Sequence, residues 1–250
     1  MSEPSTHNEL RADGLTKSYR HRCVLDNFST RIVKGRVLAL LGRNGSGKTT
    51  AFRIISGALG ATSGRVFMTK GDASQDLTSL DMAKRSKLGL VYLPQEPSVF
   101  RGLTAWQNIE LVLQLRHGRR RSYSDRIESL AKSYGIWHLI SSRTGTLSGG
   151  ERRRVEIVRS LALDPEYLIL DEPLAGVDPI SISAIQALIS ALAKSGVGVV
   201  ITDHNARDTL SIADDVQVLQ EGRVCFHGSA REAMESNIAR EAYLGRTFQP

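Results

Sequence analysis

The stretch VLALLGRNGSGKTTAFRIIS, Val37 to Ser56, leaves little freedom in what can fold around it. Val37 to Leu41 is five apolar residues without a charge, the pattern of a strand buried on both faces. Gly42 follows at once, and GRNGSGKT fits G-x-x-x-x-G-K-[ST]. Thr49 to Ser56 then reads as a helix stopped by Gly57. Strand, glycine loop and helix in this order form a phosphate cradle. Glycine lets backbone N–H groups converge on phosphate oxygens, and the helix dipole adds a positive end. Lys48 is placed to reach β- and γ-phosphates, and the Thr49 hydroxyl to ligate Mg²⁺. The candidate nucleotide contacts run through Gly42, Arg43, Asn44, Gly45, Ser46, Gly47, Lys48, Thr49 and Thr50.

A metal at that loop needs a second anchor, and YLILDEP offers one. Asp171 closes an apolar strand as a metal ligand, and Glu172 follows as a general base for an attacking water. Gln95 ends GLVYLPQ and His204 follows VGVVITD, each just past an apolar run. Such residues are usually ordinary loop residues. Here both emerge at the C-terminal edge of the sheet that carries the phosphate loop, where ligands bind in such folds.

Around these motifs the chain changes texture. The early stretch alternates as hairpins do, with a turn at Lys34-Gly35, and ATSGRVFM reads as a further turn and edge strand. From about 101 to 165 strand patterns give way to helical spacing at Ile109, Val112, Leu113, then Ile127, Leu130, Ala131, then Val155, Val158, Ala162. Strands return at Tyr167–Leu170 and in VGVVIT, with a helix from about Ile180 to Lys194 between them and a hairpin turning at Glu221-Gly222 beyond. Buried strands alternating with helices predict an α/β parallel sheet wound on both faces. The 250 residues suit one domain over 10–245, with a helical insertion at about 101–165 and loose tails at 1–9 and 246–250.

Composition narrows the setting. No apolar run approaches the roughly 18 residues of a membrane span, and MSEPSTHNEL lacks the basic and apolar regions of a signal peptide. Cys23 and Cys225 form no metal or redox motif and read as reduced thiols of a cytosolic protein. The net charge of +7 admits nucleic acid, an anionic surface or an anionic substrate as partner. Its densest part, RHGRRR at 116–121, reads as a solvated face.

LSGGERRRVEI, at 147–157, is a second anion-binding helix start, with a hydroxyl at Ser148 and backbone donors at Gly149 and Gly150. Phosphate loop, LPQE, LSGGE, LILDEP, AGVD and ITDH, in this order, resemble the ATP-binding subunits of ABC transporters over residues 10 to 245. The resemblance implies a RecA-like P-loop core, an N-terminal antiparallel β subdomain and an inserted helical subdomain. It implies ATP and Mg²⁺ as ligands, Tyr19 stacked on adenine, Gln95 beside metal and water, and His204 on the γ-phosphate. It also implies that Ser148, Gly149 and Gly150 serve a second copy's nucleotide, so that two chains close on two ATP molecules with Asp178 across the seam. Integral membrane subunits are the implied partners, met through Phe100 and Arg101, with the subunit peripheral on the cytoplasmic face of the bacterial inner membrane.

Finer wording, including VYLPQEPSVFRGLT and YLGRTF, is similar to the ATPases of lipopolysaccharide export. The ATPases of branched-chain amino-acid importers share the six core motifs but typically continue their signature with Gln where this chain has RRR. Two positions depart from the export pattern: Leu174, usually Phe, and Gly102, usually basic. A nucleic-acid-associated ATPase of the same superfamily is disfavoured, because the chain has neither a long heptad insertion nor a second ATPase half. Glu172 and His204 argue against a module that holds ATP without cleaving it.

Overall fold

The computed structural model describes residues 8–20, 22–119 and 122–244. The strands are β1 (Glu9–Tyr19), β2 (Arg22–Val33), β3 (Val37–Leu41), β4 (Ser63–Lys70), β5 (Ala73–Asp76), β6 (Leu90–Leu93), β7 (Tyr167–Leu170), β8 (Gly198–Ile201), β9 (Asp215–Gln220) and β10 (Arg223–Ser229). The helices are α1 (Lys48–Ile55), α2 (Met82–Lys87), α3 (Ala105–His117), α4 (Ser124–Ser133), α5 (Gly149–Leu161), α6 (Pro179–Lys194), α7 (Ala206–Leu210), α8 (Ala230–Glu235) and α9 (Asn237–Ala239). A π-helical turn, Arg240–Leu244, follows α9.

Six strands form the core sheet in the order β10-β9-β3-β8-β7-β6. Pairing is parallel from β9 to β6, and the β9–β10 hairpin is antiparallel. A second sheet, β2-β1-β4-β5, is antiparallel throughout. Every residue of β3, β7 and β8 is buried, which explains why their sequences carry no polar alternation. Alternate residues go to opposite faces. Val37, Ala39 and Leu41 join Val155, Val158, Ile185 and Ile189 of α5 and α6, whereas Leu38 and Leu40 join Phe28, Ile32, Phe52 and Ile55. The second face is thus covered by α1 and the antiparallel sheet, and not by helices alone as a doubly wound sheet would have it.

Several expectations need correction. Glu9, placed in the loose tail, is a buried residue of β1. Residues 1–7 and the expected tail 246–250 lie outside the described residues, as do positions 120 and 121 of the basic cluster. ATSGRVFM contributes to β4, which is an interior strand; the edge strands are β2 and β5. Between β6 and β7 the described residues form α3, α4, a 3₁₀ turn (Trp137–Leu139) and α5, and no strand.

The hairpin between β9 and β10 turns at Glu221 and Gly222, both at positive φ (49° and 81°), the backbone of a tight hairpin turn. It braces the phosphate loop. Gly222 N donates to Ser46 O at 3.0 Å, and Asp26 N donates to Gly222 O at 2.9 Å, so β2, the hairpin and the loop form one unit.

Candidate functional site

The phosphate loop takes a path that only glycine permits at its first position. Gly42 has φ 153°, and a Cβ there would fall 2.3 Å from Leu219 O. Gly47, at φ 110°, is the N-cap of α1, which has no side-chain cap and no acidic residue in its first turn. The amides of that helix start are therefore open to an anion. Ser46 Oγ is buried with no hydrogen-bond partner among the described residues, an orphaned polar atom in the same loop. Lys48 is buried and donates to Gly42 O at 2.7 Å and Arg43 O at 3.2 Å. Burial lowers its pKa, partly opposed by the negative charges of Glu172 and Asp171.

Three strand ends bring the remaining groups to this loop. Glu172 leaves β7 at φ 47°, a left-handed conformation costly for a residue with a Cβ. Its N–H donates to Thr202 Oγ1 at 3.1 Å, past the end of β8. Gln95 Nε2 donates to Glu172 Oε2 at 2.6 Å, and His204 Nε2 lies 2.8 Å from Glu172 Oε1. Gln95, Glu172 and His204, which the sequence places 77 and 32 residues apart in succession, thus converge on one carboxylate. With the loop they line a cavity of about 490 Å³, together with Arg22, Val24, Asn44, Gly45, Gly47, Lys48, Thr49 and Thr50.

Asp171 is buried and doubly held. Thr202 Oγ1 donates to Oδ1 at 2.8 Å, and Tyr92 Oη donates to Oδ2 at 3.1 Å. The Tyr92 phenol is pushed up by burial and by the Asp171 charge, which keeps it a donor. Asp171, Thr49 and Gln95 share a second cavity of about 470 Å³ with Tyr92, Arg53 and Met82. A carboxylate and a hydroxyl beside a phosphate cradle are hard oxygen donors that suit Mg²⁺, which completes its shell with water and phosphate oxygens. Among the described residues no three His, Cys, Asp or Glu side chains cluster as a self-sufficient metal cage.

The second glycine-led helix start lies elsewhere. Ser148 Oγ accepts from Glu151 N at 3.2 Å while Glu151 Oε2 accepts from Ser148 N at 2.9 Å, a reciprocal capping box. Ser148, Gly149 and Gly150 do not line the phosphate-loop cavity. Gly149 lines a smaller one with Gln95, Glu172, Gly176 and Val177. Gly150 packs on α6 so closely that a Cβ would lie 2.2 Å from Ser181 Cβ. Asp178 caps α6, its side chain accepting from Ser181 N at 3.0 Å, and that bond lowers its pKa.

Other expected residues sit at the periphery. Tyr19 is half-exposed at the end of β1 and is not among the residues lining the cavity; Lys17 Nζ lies 5.1 Å over its ring. Phe100 is 53% exposed, and its N–H donates to Asn108 Oδ1. Arg101 is exposed, its carbonyl accepting from Gly145 N. Cys23 and Cys225 are free.

Arg153 had no expected role, yet it is buried at the centre of the site's framework. Its guanidinium donates to Pro94 O at 2.9 Å, Asp171 O at 2.9 Å and Glu156 Oε2 at 3.1 Å. It thereby ties α5 to the residue before Gln95 and to the end of β7. In the run of three arginines at 152–154 no local pattern separates it from its neighbours. Thr202 and Asp203 were within reach of sequence reasoning, as polar residues closing a buried strand.

Comparison with known proteins agrees with this geometry. The family described as "ABC transporter" matches residues 25–175. An uncharacterized ABC transporter ATP-binding protein of Rhizobium meliloti is 44% identical over 96% of this chain and 87% of its own length. The lipopolysaccharide export system ATP-binding protein LptB of Acidithiobacillus ferridurans is 43% identical over 96% of this chain and 98% of its own. Among solved structures, an ATP-binding cassette of an ABC transporter in its ADP conformation superposes with a TM-score of 0.84, at 27% identity, over 96% of this chain and all of that one. A matched segment that begins in β2 and ends just past Glu172 takes in the whole phosphate loop and both carboxylates. The chain belongs to the ABC transporter family, as a subunit that binds and hydrolyses ATP.

Proposed function

We propose that two copies of this chain power lipopolysaccharide export from the cytoplasmic face of a bacterial inner membrane, through separate membrane-embedded subunits. The export reading rests on the relatives named for that system and on the shared wording from Val91 to Thr104. No helix among the described residues is long and apolar enough to cross a membrane.

The single observation that carries the catalytic part is the convergence of Gln95 and His204 on Glu172 beside the phosphate loop. ATP lies with its phosphates on the amides from Gly42 to Thr50 and on Lys48, released from its bonds to the loop carbonyls, and Tyr19 meets the adenine. Thr49 and Asp171 would hold Mg²⁺, with Gln95 beside them, and the ion would supply neutralisation of the phosphate charge. Glu172 accepts the proton of the attacking water. Each carboxylate oxygen has two lone pairs, so the bond from Gln95 and the contact with His204 orient Glu172 and still leave lone pairs for the water's proton. His204 lies within reach of the γ-phosphate, where it stabilises the developing charge.

Homodimer closure follows from what one chain lacks. Its second glycine-led helix start does not line its own phosphate cavity, and the close approach of Gly150 in α5 to Ser181 in α6 supports a seam that includes both helix starts. A second copy presents Ser148, Gly149 and Gly150 to the γ-phosphate, with Asp178 in the seam, and hydrolysis removes that bridge. Phe100 and Arg101 meet the membrane subunits.

Replacing Glu172 with Gln tests this reading. Phosphate release falls on the order of 100-fold or more, ATP binding persists, and the variant elutes as a dimer with Mg²⁺ and ATP. Turnover close to wild type would remove Glu172 from the role of base.

A further inference from the structure

The π-helical turn Arg240–Leu244 comes back against the loop that carries His204. Tyr243 Oη lies 2.7 Å from Asp203 O and 2.9 Å from His204 O. These two carbonyls flank the Cα of His204, and one phenolic proton is shared between them or alternates. The loop is held from its other side as well. Asp203 Oδ2 accepts from Leu174 N at 2.9 Å, and Oδ1 accepts from Asn205 N at 3.1 Å. The His204 side chain, by contrast, is 47% exposed and is fixed by its contact with Glu172. Its position therefore depends on the backbone beneath it.

The same turn also reaches the phosphate loop. Ala242 is buried and lines a cavity of about 210 Å³ with Arg43, Asn44, Gly45, Ser46 and Leu219. Burial, then the charges of Asp203 and Glu172, push the Tyr243 phenol up, so it remains a donor throughout the neutral range.

We propose that Tyr243 is a positioning residue for ATP hydrolysis. By holding the carbonyls on either side of His204, it sets where the imidazole meets Glu172 and the γ-phosphate. The inference rests on the role given to His204 above. A residue that merely packs the C-terminal turn would affect stability; one that aims His204 affects the chemical step.

Tyr243→Phe in the full chain separates the two, because it keeps the ring and removes only the hydroxyl. Expected are a melting temperature within about 2 °C of wild type and unchanged affinity for a non-hydrolysable ATP analogue. The KM for ATP stays the same, and kcat falls about three- to tenfold, the effect of one hydrogen bond. On a His204→Ala background the same change produces no further loss, as expected for residues acting in series. A slow His204→Ala beside a Tyr243→Phe of wild-type kcat overturns the inference and leaves the role of His204 standing. An undiminished second loss on the His204→Ala background, or a drop in melting temperature alone, also overturns it. Wild-type turnover in His204→Ala overturns the role of His204 itself.

Discussion

At Lys48 the chain buries an ammonium that donates, among the described residues, to two carbonyls of its own loop. Burial works against the charge, and the nearby Glu172 and Asp171 favour it. A polyanion arriving at the loop supplies what burial took away. Replacing Lys48 with Ala removes charge-assisted bonds worth about 1.5–3 kcal/mol each, so ATP affinity falls about 100-fold or more. Titration calorimetry checks this; unaltered affinity removes the lysine from the site. Glu172 shows the same economy of means, with a left-handed backbone, Gln95 donating to its carboxylate, His204 beside it, and its own N–H donating to Thr202 Oγ1. Much of this scale was legible beforehand. The motif named the loop and both carboxylates, because their chemistry demands fixed residue types at fixed spacing. Buried arginines were not legible. Arg85 donates to the carbonyls of Ile54, Ile55, Leu80 and Thr78, and burial lowers its pKa to about 10. Nothing in MAKRSK distinguishes that arginine from the exposed lysines beside it.

Two helices have glycine at their start, Gly47 as the N-cap of α1 and Gly149 as the first residue of α5, and end up with different electrostatics. The N-terminus of α1 lacks any side-chain cap, whereas α5 fills its own N-terminus with Ser148 and Glu151. The bonds from Ser148 hold the Glu151 carboxyl below its ordinary range. A lowered folded pKa means stability that is present above the unfolded value and lost as pH falls through the folded one. The gap in melting temperature between wild type and Glu151→Ala is therefore full at neutral pH. It closes as the pH drops below about 4. A gap independent of pH would show that the carboxylate does not cap α5. Short elements escaped the sequence because they carry no apolar period. β5 is exposed at all four positions, and α2 buries one arginine alone.

For the molecule as a whole, the question is what meets its surfaces. Phe100 stands half-exposed on the loop after Gln95. A membrane partner bound there, as proposed, would touch the loop that begins at Gln95, whose side chain donates to Glu172. Phe100→Ala is expected to cut co-purification with the membrane subunits severalfold while basal phosphate release by the isolated subunit stays at wild-type level. Intact recovery of the complex would exclude Phe100 from that surface. In X-ray scattering, the Glu172→Gln protein with Mg²⁺ and ATP should show twice the monomer mass, and a monomeric profile would count against paired half-sites.

The sequence by itself determined the order of strand, loop and helix, because a charge-free run must be buried and a glycine loop must turn. It determined the chemistry of the phosphate site for the same reason: donors and carboxylates are set by residue type. It fixed the hairpin at Glu221-Gly222 through backbone freedom. Tertiary structure alone decided that this hairpin braces the phosphate loop, and that one face of the core sheet is covered by a second sheet. It also decided that Arg153 joins three elements and that Tyr243 reaches back to His204. Those contacts span 18 to 59 residues for Arg153 and 39 or 40 for Tyr243. Such contacts depend on where the chain returns in space, and no local period, propensity or spacing encodes that return.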